Sequence, residues 1–173
     1  MSTTFEVREK LIKIAFQDVG KMEGPENNEG AWIEKFWPAT SYGPEGYDNR
    51  EPYCAAAGAW WIREWLKLPE VQQAFGESFE VLDEWRPDSA SVFDWPDWAE
   101  ARGVPIIDPY ASLRCGDICI FDCSHWGVLW SDRGDNCLTI EANTGPMGER
   151  DGNGCYLKIR NRCEMRCFIR MLE

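Results

Sequence analysis

The spacing of hydrophobic and polar positions changes about two-thirds of the way along the chain. In the first part, apolar residues recur at intervals of three and four, which is typical of helices with one buried face. From residue 118 onward they form short runs separated by Gly, Asp and Asn clusters, as in strands joined by tight turns. The pattern predicts an α+β fold in which N-terminal helices pack on a C-terminal antiparallel β-sheet.

The helical part carries recognisable start and stop signals. Thr3 and Glu6 have the spacing of a capping box, which predicts a first helix that ends by Gly20. Residues 52–68 are rich in Ala and Trp and predict a buried central helix with Pro52 in its first turn. Residues 38–52 are expected to form a long irregular loop. Further helices are expected over 31–37, 69–75 and 92–102.

Five strand-like runs follow in the C-terminal part. No repeat, low-complexity tract or linker separates this part from the helices, so residues 1–173 are expected to form a single domain. The expected strands are Ile118–Phe121, Trp126–Trp130, Cys137–Glu141, Cys155–Ile159 and Cys167–Met171.

The charge balance is strongly acidic. Lys and Arg number 18 and Asp and Glu number 30, which gives a formal net charge of −12. Binding to nucleic acid or to anionic lipid needs a basic surface, so neither partner is expected. No apolar window is long enough for a spanning helix, and charged residues stand where a signal peptide would be apolar. We expect a monomer that is made in the cytoplasm without a signal peptide.

The chain contains eight cysteines and one histidine. An even number of cysteines could form four disulfides in an exported domain, but a chain of this length does not need them, and mostly buried thiols are expected instead. The cysteine spacings do not match those of a zinc knuckle. His125 is the only side chain whose ordinary pKa lies close to neutral pH.

Cys54 opens the predicted central helix. Its thiol there would meet the positive end of the helix dipole, which favours the nucleophilic thiolate, and the same backbone N–H groups could hold an oxyanion. A buried structural cysteine is the alternative interpretation of this residue alone.

His125 and two polar residues of the following strand complete an ordered set. Glu141 and Asn143 are two positions apart, so both would point to one side of a strand. Either could accept a hydrogen bond from Nδ1 of His125 and leave Nε2 facing the thiol. Each residue alone has a structural explanation. Together with Cys54 they supply the nucleophile, the base and the orienting group that acyl transfer requires.

Four segments resemble the CHAP peptidoglycan hydrolases, a family within the NlpC/P60-like papain-type superfamily. The family shows a Trp-Cys-Ala-Ala segment opening a Trp-rich helix, a Pro-Gly-Asp-Ile strand entry, a Gly-His-Val-Gly strand and a Glu-x-Asn strand. The chain departs from this pattern with Tyr53 for Trp, Ser124 for Gly and the bulky Trp126 after the histidine. The similar segments here are Tyr53–Ala57, Arg114–Ile118, Ser124–Val128 and Glu141–Thr144.

The resemblance implies a papain-like catalytic domain. Cys54 would be the nucleophile, His125 the general base and later general acid, and Glu141 the group that orients His125. Asn143 would be an auxiliary polariser or an alternative third member. The implied substrate is bacterial peptidoglycan, cut either within its peptide or at the amide that joins peptide to glycan, as by a phage lysin. An enzyme of this kind acts on the wall after release by lysis or dedicated export.

Aromatic and acidic residues near the set have further possible roles. Tyr53, Trp126 and Tyr47, together with Tyr42, could line a substrate groove. Some family members bind calcium near the nucleophile, and four oxygen-bearing side chains precede Cys54 here, but their spacing matches no recognised loop. Solvated turn residues are therefore expected, with no cofactor and with calcium as the alternative. The four residues are Glu45, Asp48, Asn49 and Glu51.

Two other functions fit the same residues. One is a different enzyme on the same fold, such as a cysteine peptidase, a deamidase or an interbacterial amidase effector. The other is a structural or binding relative in which Cys54 is inert. A selectively reactive thiol would distinguish the enzymes from the inert relative.

Overall fold

The structure, a computed structural model, describes residues 3–147, 149 and 151–173. Helices fill the N-terminal part of the described chain, as the spacing of apolar residues predicts. The α-helices are α1 (Thr4–Phe16), α2 (Ala31–Glu34), α3 (Glu45–Asp48), α4 (Cys54–Leu66), α5 (Pro69–Phe75), α6 (Phe79–Trp85) and α7 (Asp94–Arg102). Short 3-10 turns cover Trp37–Ala39 and Arg162–Glu164.

Helix α1 begins with the predicted capping box. The Thr3 side chain accepts a hydrogen bond from the backbone N–H of Glu6, and the Glu6 carboxylate accepts one from the backbone N–H of Thr3. Two donors that the first helical turn leaves unpaired are satisfied in this way. The helix ends at Phe16, and Gly20 beyond it has the left-handed φ of 86°.

Helix α4 is the central element of the core. It starts at Cys54 rather than at Pro52, and nearly all of its side chains are buried. Trp61 donates its indole N–H to Asp18 and Trp65 donates to the carbonyl of Val7, each at 2.8 Å. These bonds let the two polar ring edges lie inside the protein.

Residues 38–52 are more regular than predicted. Pro38 lies inside the 3-10 turn Trp37–Ala39, and Pro44 directly precedes α3. Proline suits the first turn of a helix because its φ is already helical and its missing N–H is not needed there. The expected irregular loop is therefore wrong in part, because two prolines start short turns within it.

The C-terminal part forms one six-stranded antiparallel sheet in the order β1-β6-β2-β3-β4-β5. All five predicted strands are present, with bounds that shift by up to three residues. The additional strand, β1, has only two residues and carries no alternation that could reveal it. The strands are β1 (Ile106–Ile107), β2 (Ile118–Phe121), β3 (Trp126–Arg133), β4 (Asn136–Thr144), β5 (Gly154–Asn161) and β6 (Met165–Ile169).

The two faces of the sheet pack against different residues. Ile120 and Ile140 belong to the large core that the sheet shares with the helices, whereas Phe121 belongs to a smaller cluster. Successive strand residues point to opposite faces. Glu141, which follows Ile140, therefore points away from the helices. The predicted α+β arrangement of helices on an antiparallel sheet is confirmed.

A buried carboxylate ties the N-terminal helix to the sheet. Asp117, at the entry to β2, accepts hydrogen bonds from Arg8 of α1, from Arg170 at 2.7 and 3.0 Å, and from the backbone N–H of Arg114 at 2.8 Å. Its two oxygens are thus fully engaged by structural contacts.

Within the described residues, none of the helices combines the length and apolar character needed to span a bilayer.

Candidate active site

Cys54 occupies the first position of α4, at the edge of the core. The residue is only 4% exposed, but it borders a surface pocket of about 140 Å³. The residue is therefore packed in the core and also lines a pocket at the surface. The other residues that line this pocket are Tyr42, Glu51, Pro52, Ala90, Ser91, Val92 and Ser124.

His125 is held at the tight turn between β2 and β3. Its carbonyl accepts a hydrogen bond from the backbone N–H of Phe121 at 3.0 Å, and its ring lies 5.2 Å from the Phe121 ring. Ser124 before it has a left-handed φ of 57°, a conformation that glycine adopts more easily. The side chain is 1% exposed, so the turn delivers the imidazole into the protein.

The imidazole lies between a thiol and a carboxylate. Nε2 of His125 is 3.0 Å from Oε2 of Glu141. Nδ1 is buried and completes no hydrogen bond among the described residues, while the Cys54 thiol is close enough to affect the protonation of the ring. The structure thus brings together Cys54, His125 and Glu141.

The orientation of the ring is the reverse of the predicted one. We expected Nδ1 on the orienting group and Nε2 on the thiol, but Nε2 contacts Glu141 and Nδ1 is the nitrogen without a hydrogen bond. The carboxylate of Glu141 is therefore the partner of Nε2 and not of Nδ1. Because an ionised carboxylate only accepts, Nε2 carries the proton of this hydrogen bond.

Opposite shifts in pKa follow from this arrangement. Burial alone would lower the pKa of His125, but the neighbouring Cys54 thiol and Glu141 carboxylate raise it to about 9. Burial alone would raise the pKa of Glu141, but hydrogen bonds from Arg160 and His125 lower it to about 2. The geometry therefore favours an imidazolium paired with a carboxylate.

Two residues around Glu141 were missed by the sequence analysis. Thr139 donates its hydroxyl to Oε1 of Glu141 at 2.6 Å. Arg160 of β5 donates to Oε1 through Nε at 2.9 Å and to Oε2 through Nη2 at 2.5 Å. Thr139 lies two residues before Glu141, and the period of a strand could have indicated it. Arg160 is on the neighbouring strand, and its position beside Glu141 follows only from how the two strands pair.

Asn143 does not reach the imidazole. It lies at an irregularity in the pairing of β4 with β5 and has a left-handed φ of 55°. Its side-chain oxygen is buried without a hydrogen bond among the described residues. Asparagine tolerates this backbone conformation better than most residues do. Of the two candidates left open by the sequence, Glu141 makes the hydrogen bond to His125.

Two of the three residues predicted to bind substrate are fully buried. Tyr53 and Trp126 are each 0% exposed. The Tyr53 hydroxyl donates to Glu23, and Trp126 packs between Trp61 and Trp95 with ring centroids at 5.8 and 5.3 Å. Both rings are therefore packed in the core, and their contact with a substrate stays a prediction.

The third predicted residue, Tyr47, lies outside the pocket. Its side chain is half-buried, and its hydroxyl accepts a hydrogen bond from Gly30 at 3.4 Å. Tyr42 is about half exposed and does line the pocket beside Cys54. Of these two tyrosines, Tyr42 lines the pocket beside Cys54 in the described structure.

Metal ligands do not converge anywhere in the part of the chain that the structure describes. No three His, Cys, Asp or Glu side chains there are placed to hold a metal ion. The three acids considered for calcium, Glu45, Asp48 and Glu51, are exposed around α3.

The cysteines are thiols rather than disulfides, and burial raises the pKa of Cys119 and Cys155.

Comparison with known proteins leaves the site to be interpreted on its own geometry. A scan against protein-family models, a search of curated proteins and a search of solved structures each find no match for this chain. The chemistry of Cys54, His125 and Glu141 and the pocket beside them therefore carry the functional argument.

Proposed function

We propose that this protein is a cysteine-dependent hydrolase of amide bonds. One observation carries the proposal: a thiol at the start of a buried helix borders an open pocket and faces an imidazole that is hydrogen-bonded to a carboxylate. A nucleophile, an adjacent base and a group that orients the base are the parts of a covalent acyl-transfer site.

The first half of the reaction forms an acyl-enzyme. The Cys54 thiolate attacks the amide carbonyl carbon, and the free backbone N–H groups at the start of α4 can stabilise the resulting oxyanion. Nδ1 of the His125 imidazolium then gives its proton to the leaving amine nitrogen as the carbon–nitrogen bond breaks. Glu141 holds Nε2 throughout, so that Nδ1 keeps facing the sulfur.

The second half of the reaction regenerates the enzyme. The neutral imidazole takes a proton from water at Nδ1, and the hydroxide oxygen attacks the thioester carbon. The carbon–sulfur bond breaks, the carboxylic acid product leaves, and the thiolate and imidazolium return. The carboxylate of Glu141 stabilises the imidazolium at both ends of the cycle.

The substrate class follows from the resemblance to CHAP hydrolases. We propose that the bond is an amide of bacterial peptidoglycan, within its peptide or between peptide and glycan, and that the domain folds as papain-like enzymes do. The antiparallel sheet behind a helix that starts at the nucleophile supports this reading. Small residues around the pocket, such as Ala90 and Ser91, leave room for a peptide beside the sulfur.

Digestion of purified peptidoglycan tests the proposal. The wild-type protein should release soluble fragments whose masses identify the cut bond, and Cys54→Ala should release none. Cys163→Ala is the matched control, because this thiol is exposed and Cys163 does not line the pocket, and this variant should cut at the wild-type rate. Unimpaired cleavage by folded Cys54→Ala would reject the cysteine mechanism.

Thiol reactivity separates an enzyme from an inert relative. At pH 6, a thiol activated by a neighbouring imidazole should be alkylated faster than an exposed thiol that is not activated. Mass spectrometry of the peptides should show Cys54 labelled before Cys163. Slower labelling at Cys54 than at Cys163 would favour a binding or structural protein.

A further inference from the structure

Arg160 is a charged residue that binds directly to the carboxylate of the candidate site. Its guanidinium donates hydrogen bonds to both oxygens of Glu141, and its Cζ atom lies 5.3 Å from the centre of the Phe121 ring. The side chain comes from β5, the strand next to Glu141, and is 9% exposed. A bidentate contact of this kind fixes the carboxylate in orientation as well as in position.

We propose that Arg160 is a positioning residue of this site, which keeps Glu141 ionised and directed at Nε2 of His125. The inference rests on the proposed function for its catalytic meaning. Arg160 is not among the residues that line the pocket beside Cys54, and it contacts the candidate site through Glu141.

Burial explains why Glu141 needs such a partner. The carboxyl is 0% exposed, and an ionised carboxylate is costly to bury unless it is paired and hydrogen-bonded. Thr139 supplies one neutral donor and His125 one more. Without Arg160, the proton shared with His125 would move to the carboxyl, since two neutral groups are easier to bury than two charged ones.

That proton transfer would change the imidazole itself. With Arg160 present, Nε2 donates to the carboxylate and Nδ1 is the nitrogen that exchanges protons with the Cys54 side. With Glu141 protonated, Nε2 must accept instead, and the neutral ring carries its proton on Nδ1. A neutral carboxyl also ceases to stabilise the imidazolium. Arg160 therefore determines which tautomer faces the nucleophile.

The remaining titratable groups around these contacts offer no substitute cation. His125 is faced by Cys54 from α4, by Glu141 from β4 and by the uncharged Phe121 ring from β2. Arg160 is the only cation bonded to Glu141 besides His125 in the described part of the chain. The other ionisable neighbours are thiols or an acid: Cys119, Cys123, Cys155 and Glu164.

Nuclear magnetic resonance of the imidazole nitrogens tests the proposal directly. His125 is the only histidine of the chain, so its ring signals need no assignment by mutation. In the wild-type protein we expect a raised His125 pKa and, above that pKa, a neutral ring that carries its proton on Nε2. In Arg160→Gln we expect the neutral ring to carry its proton on Nδ1 and the His125 pKa to fall by about one unit or more. An unchanged tautomer, or an unchanged or higher pKa, would overturn the proposal.

Two further variants separate positioning from stability. Arg160→Lys keeps the positive charge but cannot make the bidentate contact of a guanidinium. Its His125 pKa should lie between those of the wild type and Arg160→Gln. Arg162→Gln is the matched control, because this buried arginine pairs with Asp132 and does not touch Glu141. It should lower the melting temperature and leave the His125 signals as in wild type. Equal effects of Arg160→Gln and Arg162→Gln on His125 would show that Arg160 is only structural.

Kinetics and a fallback variant complete the test. On a peptide substrate, Arg160→Gln should lower kcat by about tenfold or more with little change in KM, because the proton-transfer group is impaired and the pocket is not. If Arg160→Gln does not fold, Arg160→Lys tests the same contact, because it removes the bidentate hydrogen bonding and keeps the charge. An unchanged His125 pKa and tautomer in Arg160→Lys would then reject the proposal. The resonance measurements need no turnover, so they stand even if Cys54→Ala shows the proposed hydrolysis to be wrong.

Discussion

His125 has both ring nitrogens inside the protein, one against a carboxylate and the other on the side of a thiol. Its folded pKa of about 9 is above the ordinary value of 6.5, so its contribution to stability is fully present below pH 6.5 and is lost as pH rises through 9. Glu141 has a lowered pKa, so its contribution is present above pH 4.5 and is lost as pH falls through 2.

The first prediction concerns this pair. Glu141→Gln removes the charge that holds the imidazolium, so the loss of melting temperature relative to wild type should be larger at pH 6 than at pH 10. Thermal unfolding of both proteins across this range measures it. Comparing the two proteins at each pH cancels the effect of groups that titrate elsewhere in the chain. A decrease in melting temperature that does not depend on pH would show that His125 and Glu141 do not hold a proton between them.

The second prediction concerns Asn143, whose backbone is left-handed at φ 55°. If Asn143 is needed for its left-handed backbone conformation, Asn143→Gly should be more stable than Asn143→Ala. The free energy of unfolding should differ by about 1 kcal/mol. Denaturant titration measures the difference. Equal stabilities would mean that the Asn143 side chain contributes more to stability than the left-handed backbone conformation does. A loss of cleavage in a stable Asn143→Gly protein would make Asn143 a functional residue.

At the scale of elements, most helices and strands with one buried face were predictable, but α6 was not predicted and α2 is shorter than expected. The capping residues Thr3 and Glu6 indicate the start of α1, and Pro69–Phe75 coincides with α5. Strand β2 has its predicted bounds, because turn residues flank a fully buried run. The positions of Cys54 and His125 were also predictable, since Cys54 begins α4 and His125 directly precedes β3.

The contact between Arg160 and Glu141 was not predictable in the same way. The two residues are 19 positions apart on neighbouring strands, so the contact depends on their register. The hydrophobic pattern of β5 is also misleading: Ile159 is 63% exposed, whereas Arg160 is buried. The polar side of β5 faces inward because Glu141 lies there, and only the folded sheet shows this.

The third prediction concerns the packing of α4 on β3. A Cβ at Gly58 would lie 2.5 Å from ring carbons of Trp126, the residue after His125. Gly58→Ala should therefore lower the free energy of unfolding by about 1–3 kcal/mol through overpacking, although alanine is the better helix former. It should also slow cleavage, because the displaced Trp126 moves the histidine beside it.

A second substitution tests the cause of that effect. Trp126→Phe makes room for the new methyl group, so the double variant should lose less stability than the sum of the two single losses. Chemical denaturation of the four proteins gives this coupling. Additive losses would mean that Gly58 is required for a reason other than the close approach of Trp126.

At the scale of the whole molecule, the net charge of −12 sets how the protein meets its substrate. If the substrate is a wall that carries anionic polymers, the like charges repel and slow the encounter. Salt shortens the range of this repulsion from about 30 Å at 0.01 M to about 8 Å at 0.15 M. The initial rate of wall digestion should therefore rise over that range of ionic strength. The same wall stripped of its anionic polymers is the control, and its digestion should change little. A rate that falls with salt on the intact wall would mean that attraction to a local basic surface outweighs the net charge.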